Sequence, residues 1–203
     1  MGVILGGRIG YILFYDFAHY LADPLDVFKV WQGGMSFHGG LLGVTLAMFL
    51  FAKKTEQSLF QVADFVAPLI PIGLFTGRIG NFINGELWGK PTDSVLGMWV
   101  YDPALQQTIQ KYPTQLLEAF LEGVVLFIIL AVYGSKTRTP GAIAGMFLLG
   151  YGIFRFIVEF WRVPDAQLGY LMWEWLTMGQ VLSLPMILIG AYFVFRKSIY
   201  PAK

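Results

Sequence analysis

The residues best suited to chemistry stand in Gly77-Arg78-Ile79-Gly80-Asn81-Phe82-Ile83-Asn84-Gly85-Glu86-Leu87-Trp88-Gly89, where a long apolar run ends in a charge, two amides and four glycines. A cationic side chain costs about 2.5 to 3.5 kcal/mol at the centre of a spanning helix, so Arg78 requires an anionic partner, a wet cavity or a place near the interface. A second arginine of this kind, Arg155, stands in the segment from Tyr151 to Arg162. Tyr151, Arg155, Glu159 and Arg162 follow at steps of four, four and three, which places them on one helical stripe facing protein or water. If Arg155 merely pairs with Glu159, the stripe glues helices. Two arginines on different helices also suit a phosphate, which offers several oxygens to planar guanidinium forks. Membrane lipid carries such phosphates on its headgroups.

Asn81 and Asn84 add amide donors and acceptors beside Arg78, and Asn84-Gly85 is a turn signal that ends the helix. Asp64 lies fourteen residues before Arg78, too far along the axis to touch it. Gly77, Gly80, Gly85 and Gly89 fit close helix packing, and their clustering with Arg78 also fits a ligand approaching backbone. His38, bracketed by glycine pairs in Gly33-Gly34-Met35-Ser36-Phe37-His38-Gly39-Gly40, is the base candidate that titrates near neutrality. Arg8 reads either as a further anion anchor or as an interface residue. With two histidines and no cysteine there is no metal-site spacing, and no phosphate-cradling or dinucleotide glycine motif appears. Neither cofactor, metal nor nucleotide is expected.

These residues are carried by an apolar chain. Of its 203 residues 56% are hydrophobic and 13% charged, and the mean hydropathy is +0.61, the composition of an integral membrane protein. A net charge of +1 without a basic block excludes nucleic acid as partner. Runs long enough to cross about 30 Å of hydrocarbon predict an all-α, polytopic single transmembrane domain over 1–203. Its spans are 1–15 (shortened), 36–52, 60–82, 115–134, 141–161 and 178–195. Connections 16–35, 83–114 and 162–177 are long and share one side. Lys53, Lys54, Lys136, Arg138, Arg196, Lys197 and Lys203 lie on the other. The long side mixes Lys29, Lys90, Lys111 and Arg162 with many carboxylates, among them Asp165 and Glu174. Positive residues favour the cytoplasm, so the C-terminus is expected inside and the 77–89 stretch outside.

The 77–89 stretch closely resembles the signature of bacterial prolipoprotein diacylglyceryl transferases. The likeness continues through Gly6-Gly7-Arg8-Ile9-Gly10-Tyr11, the 33–40 loop, Tyr112-Pro113-Thr114-Gln115-Leu116, Gly150-Tyr151-Gly152, Phe154-Arg155, Val158-Glu159-Phe160, Arg162 and Met178-Gly179-Gln180. The resemblance implies a multi-pass inner-membrane enzyme. It would move the sn-1,2-diacylglyceryl group of phosphatidylglycerol onto the lipobox cysteine of a prolipoprotein signal peptide, releasing glycerol phosphate. By matching position, His38, Arg78 and Arg155 are implied to be catalytic. Arg78, Asn81, Arg155, Tyr151 and Gly89 are implied to bind the headgroup, with Asn84, Glu86, Glu159 and Arg162 in support. Family members begin with an additional outer segment and spanning helix, so the resemblance also implies an N-terminal truncation that removes a functional tyrosine. Lys111-Tyr112 stands where many members have Arg-His. The alternatives are an inactive fragment or a non-catalytic scaffold for anionic lipid. A transporter would show paired repeats, which are not evident.

Overall fold

A computed structural model describes residues 1–103, 105–164, 169, 171–172 and 175–196. Asp165, Glu174, Lys197 and Lys203, used above to orient the chain, lie outside the described residues. The fold comprises two compact units, Met1–Val62 and Ala63–Lys203.

The first unit holds α1 (Gly2–Tyr15), a short α2 (Phe17–Ala22), two 3-10 turns (Pro24–Phe28 and Val30–Gln32) and α3 (Phe37–Lys54). Gly2, Gly6 and Gly10 recur every four residues on α1 and meet Gly39 and Gly43 of α3. A Cβ at Gly6 would press into the Gly39 carbonyl, and one at Gly10 would come within 2.7 Å of the Gly39 Cα. Helices in lipid gain little from the hydrophobic effect, and the missing side chains let the two backbones gain van der Waals contact instead.

Arg8, 4% exposed, leaves α1 toward the segment that follows α2. It donates to the carbonyls of Asp26 at 2.5 Å, Val27 at 3.0 Å, Lys29 at 3.3 Å, Gly33 at 2.5 Å and Gly34 at 3.2 Å. Gly33 and Gly34 take φ of +88° and +79° to offer these carbonyls, a conformation natural to glycine. The fork of Arg8 is spent on backbone carbonyls.

The second unit is built on helices. α4 (Leu59–Val66), within which the unit boundary falls, leads through a 3-10 turn (Ala67–Leu69) into α5 (Ile70–Ile83). α6 (Thr114–Glu118) runs through a π-helical segment (Ala119–Val125) into α7 (Leu126–Gly134). α8 (Ala142–Val158) and α9 (Met178–Phe195) complete the set. Among the described residues, the continuous helices Leu59–Ile83, Thr114–Gly134 and Met178–Phe195 are long and apolar enough to cross a membrane. The chain is thus a mostly helical, polytopic membrane protein. Gly152 of α8 lies against Ile187 and the Ser183 carbonyl of α9, and Gly123 of the π segment against Phe75 of α5. Leu126, Leu130 and Val158 are fully buried.

Two local features depart from the sequence reading, and one residue takes a role that the sequence left open. The 83–114 connection contains an antiparallel hairpin, β1 (Met98–Asp102) with β2 (Gln107–Lys111), in register from Met98↔Lys111 to Asp102↔Gln107. Its Trp99-Val100-Tyr101 run favours a pleated strand, and Lys111 Nζ meets Asp102 Oδ2 at 2.6 Å. α8 stops at Val158, short of 161, because the next residues leave to pair with Gly89 and Lys90: Lys90 N donates to Trp161 O at 2.9 Å. Asp64 has its own task. It accepts from Gly141 N at 2.6 Å and Ala144 N at 2.8 Å, supplying the N-terminus of α8 with acceptors from another helix.

Candidate active site

Glu118, at the end of α6 and 1% exposed, collects three guanidinium groups. Its Oε2 lies 2.7 Å from Arg78 Nε. Its Oε1 lies 2.8 Å from Arg155 Nη1 and 2.9 Å from Arg162 Nη1. Glu159 closes the far side, with Oε2 at 3.1 Å from Arg155 Nη2 and 3.5 Å from Arg162 Nε. Glu122, with no exposed surface, stands 3.9 Å from Arg78 Nη2. Among the described residues its two oxygens have no hydrogen-bond partner. Three arginines thus face three carboxylates, and each guanidinium side chain keeps 13 to 18% of its surface open.

Each element contributes for a local reason. α5 delivers Arg78 about one and a half turns from its C-terminus, and α8 delivers Arg155 in its last turn. Arg162 reaches Glu118 from beyond the helix end, where Gly89 and Arg162 form a backbone bridge. Gly89 is walled in: an added Cβ would stand 2.6 Å from Thr114 Cγ2, 2.6 Å from Trp161 O and 3.0 Å from Tyr112 Cβ. The glycine therefore lets the 89–90 backbone thread between Tyr112 and Trp161, where Gly89 N donates to Tyr112 O at 2.9 Å.

Asn81 links this cluster to a second polar group. Arg78 Nη1 donates to Asn81 Oδ1 at 3.5 Å. Asn81 Nδ2 donates to Glu86 Oε1 at 2.8 Å, and Asn84 Nδ2 to the same oxygen at 3.3 Å. These amides, Asn81 first, hold the Glu86 carboxyl below its ordinary value. The Glu86 carbonyl accepts from Gln115 Nε2 at 2.5 Å and the Leu87 carbonyl from Thr114 Oγ1 at 3.0 Å. The turn after α5 is thereby fastened to α6, the helix that carries Glu118. Tyr151 sits one turn before Arg155 and stacks on Phe147 with ring centroids 5.7 Å apart. His38 belongs to the first unit, exposed in the first turn of α3, where Ser36 caps the helix by accepting from Gly39 N at 3.2 Å.

A site of buried arginines on one carboxylate, rimmed by amides, can take an anion with several oxygens. The family model described as prolipoprotein diacylglyceryl transferase matches residues 1–196. The chain belongs to that family. A phosphatidylglycerol–prolipoprotein diacylglyceryl transferase of Hydrogenovibrio crunogenus is 71% identical over 190 residues, covering 94% of this chain and 71% of that protein. Proteins of the same name from Pseudomonas savastanoi pv. phaseolicola and Pseudomonas fluorescens are 59% identical over 196 residues and 60% over 191. They cover 96% and 94% of this chain, and 72% and 71% of their own lengths.

The transferase chain thus brings together Arg78, Arg155, Glu159 and Arg162, and beside them Asn81, Asn84 and Glu86. The sequence reading missed Glu118 and Glu122, the anionic partners that Arg78 required. A signal existed. Glu118 and Glu122 are spaced one helical turn apart inside a segment whose mean hydropathy reaches 2.3, and ionisable residues in such a segment mark a site by default.

Proposed function

We propose that the chain moves the sn-1,2-diacylglyceryl group of phosphatidylglycerol onto the lipobox cysteine of a prolipoprotein signal peptide, and that the arginine cluster handles the lipid phosphate. The observation that carries this reading is the convergence of Arg78, Arg155 and Arg162 on Glu118 at 2.7 to 2.9 Å. Groups sharing one carboxylate stand close enough to share one phosphate. In the reaction the cysteine sulfur bonds to the glycerol carbon while that carbon's bond to the phosphate oxygen breaks. A thioether forms and glycerol phosphate leaves with the electron pair. Charge grows on the departing phosphate, and buried guanidinium donors fixed in advance by Glu118 and Glu159 stabilise that growth most. Asn81 donates an amide beside Arg78, and Tyr151 and Gly89 flank the headgroup.

His38 accepts the thiol proton. A cysteine thiol is largely protonated near neutrality, so attack needs a base, and the residue pattern around His38 supports this role. The distribution of lysine and arginine supports a bacterial inner-membrane placement with the C-terminus in the cytoplasm and the site on the outer side.

The test is transfer of labelled glycerolipid from phosphatidylglycerol to a lipobox peptide in detergent. The chain and its Arg78→Ala and His38→Gln variants are compared. Transfer by the parent, lost in Arg78→Ala, with lipid binding kept but turnover lost in His38→Gln, is expected. Equal turnover in His38→Gln sinks the base assignment. Phosphatidylglycerol binding without transfer by any folded version favours the lipid scaffold.

A further inference from the structure

Glu159 orients two of the three arginines, and what orients Glu159 is an absent side chain. The carboxylate, on a residue 5% exposed, is held on one side by Arg155 and Arg162. On its other side lies Gly179 in the first turn of α9. A Cβ built there would stand 2.7 Å from Glu159 Cδ and 2.8 Å from each carboxylate oxygen, nearer than real Cβ atoms come. Gly179 has little room to retreat. Thr177 caps α9 by accepting from Gln180 N at 3.3 Å, and Gln180 Oε1 accepts from Thr177 N at 3.0 Å, so a reciprocal box fixes this turn. Ser183 Oγ further donates to Gly179 O at 2.7 Å. Alanine is the better helix former, yet here glycine stands where the carboxylate needs the space. The start of α9 also favours an anion through its helix dipole.

We propose that Gly179 is a positioning residue for the transfer reaction. The volume left by its missing side chain is where the Glu159 carboxylate stands, and through it Gly179 sets the donor directions of Arg155 and Arg162 toward the lipid phosphate. This rests on the reading that the arginine cluster handles that phosphate. An added methyl at 179 pushes the carboxylate away from α9 and turns both guanidinium groups. Displacements on the scale of an ångström at a preorganised site cost up to about 100-fold in rate.

The experiment measures kcat and KM for phosphatidylglycerol, with thermal stability in detergent, for the parent, Gly179→Ala, Glu159→Asp and the double variant. Gly179→Ala is expected to lose about 10- to 100-fold in kcat/KM. Glu159→Asp, which shortens the side chain and is harmful alone, is expected to restore at least about tenfold in the Gly179→Ala background. Gly152→Ala serves as packing control, since its methyl would meet Ile187 and Ser183 O of α9 and not the carboxylate, and Glu159→Asp should not rescue it. Equal rescue of both, or rescue of neither, overturns the proposal, as does full activity in Gly179→Ala. If Gly179→Ala fails to fold, the double variant must fold and turn over; failure of that variant too means the backbone alone needs the glycine. Arg155→Ala separates the two readings: retained transfer there refutes the phosphate role of the cluster, whereas its loss beside a fully active Gly179→Ala refutes the role of Gly179 alone.

Discussion

Replacing Glu118 by glutamine keeps the volume of the hub and removes its charge. In the parent, three guanidinium groups lie within 2.7 to 2.9 Å of one carboxylate that is 1% exposed. After the change three arginines face two carboxylates, Glu159 and Glu122, and the glutamine amide can offer its oxygen to only part of the set while its NH2 points at a cation. Removing one partner of a buried ion pair costs about 3 to 5 kcal/mol. That range applies because no cavity is made and the carboxylate itself is only 1% exposed. The missing negative charge is also what a lipid phosphate brings. Phosphatidylglycerol at about 100 times its Kd adds about 2.7 kcal/mol to a protein that binds it only when folded. Bound more tightly by the variant, it should recover more than it gives the parent. The assay is unfolding in a neutral detergent, by titration with a denaturing one, with and without phosphatidylglycerol. The expected result is a loss of about 3 to 5 kcal/mol in Glu118→Gln, with a larger lipid-induced gain than in the parent. A loss under about 1 kcal/mol, as for an exposed pair, or an equal lipid gain in both proteins, would refute the hub argument.

Three further outcomes are expected. Arg8→Lys offers three donors to five carbonyls and should cost about 1 to 3 kcal/mol, with faster amide exchange across 26–34; unchanged exchange there contradicts the anchoring role. A Cβ at Gly40 would stand 3.7 Å from Val3 Cγ1, so a Val3→Cys, Gly40→Cys pair should cross-link under oxidant in the parent background and, because Gly6→Leu should part α1 from α3, no longer do so in that variant; persistence of the cross-link means the glycine contact is dispensable. Glu86 has a folded pKa below its ordinary 4.5, so it binds its proton less readily folded than unfolded. The stability it adds is full above about pH 4.5 and is lost as pH falls through the lower folded value. The stability difference between parent and Glu86→Gln should therefore shrink as the pH is lowered below that point, and a difference that grows on acidification refutes the assigned hydrogen bonds.

The helical membrane class was legible in composition, because no soluble core accounts for so apolar a chain. Arg78 and Arg155 announced themselves as charges inside apolar runs, and the step from Arg155 to Glu159 put a partner one turn away. Their convergence was not legible. It depends on which faces of α5, α6 and α8 meet, and although Glu118 and Glu122 stand out as charges in an apolar segment, nothing local to them names the arginines they meet. Arg162 illustrates a different limit. Counting steps along a helix placed it on the Arg155 stripe, whereas the helix ends at Val158 and backbone pairing with Gly89 brings Arg162 to Glu118 instead. Asp64 could be judged too distant from Arg78, but its caps at Gly141 and Ala144 lie about 80 residues away in sequence. Local pattern says nothing about such partners. The 98–111 hairpin carried its aromatic and β-branched signal in plain view, overshadowed by the length of its connection.

The π-helical segment Ala119–Val125 begins directly after Glu118 and contains Glu122. A π turn holds one residue more than an α turn, so it acts as a phase shifter between the two ends of one span. Deleting a single residue from it would relax the turn to α geometry with its two ends still close to in phase, whereas the same deletion in the α-helical part of the span would shorten it by only about 1.5 Å, which a bilayer absorbs, yet rotate one end against the other by about 100°. The thickness of the membrane and the aim of Glu118 are thus set by different properties of the same helix. Length is forgiving there, and parity is not.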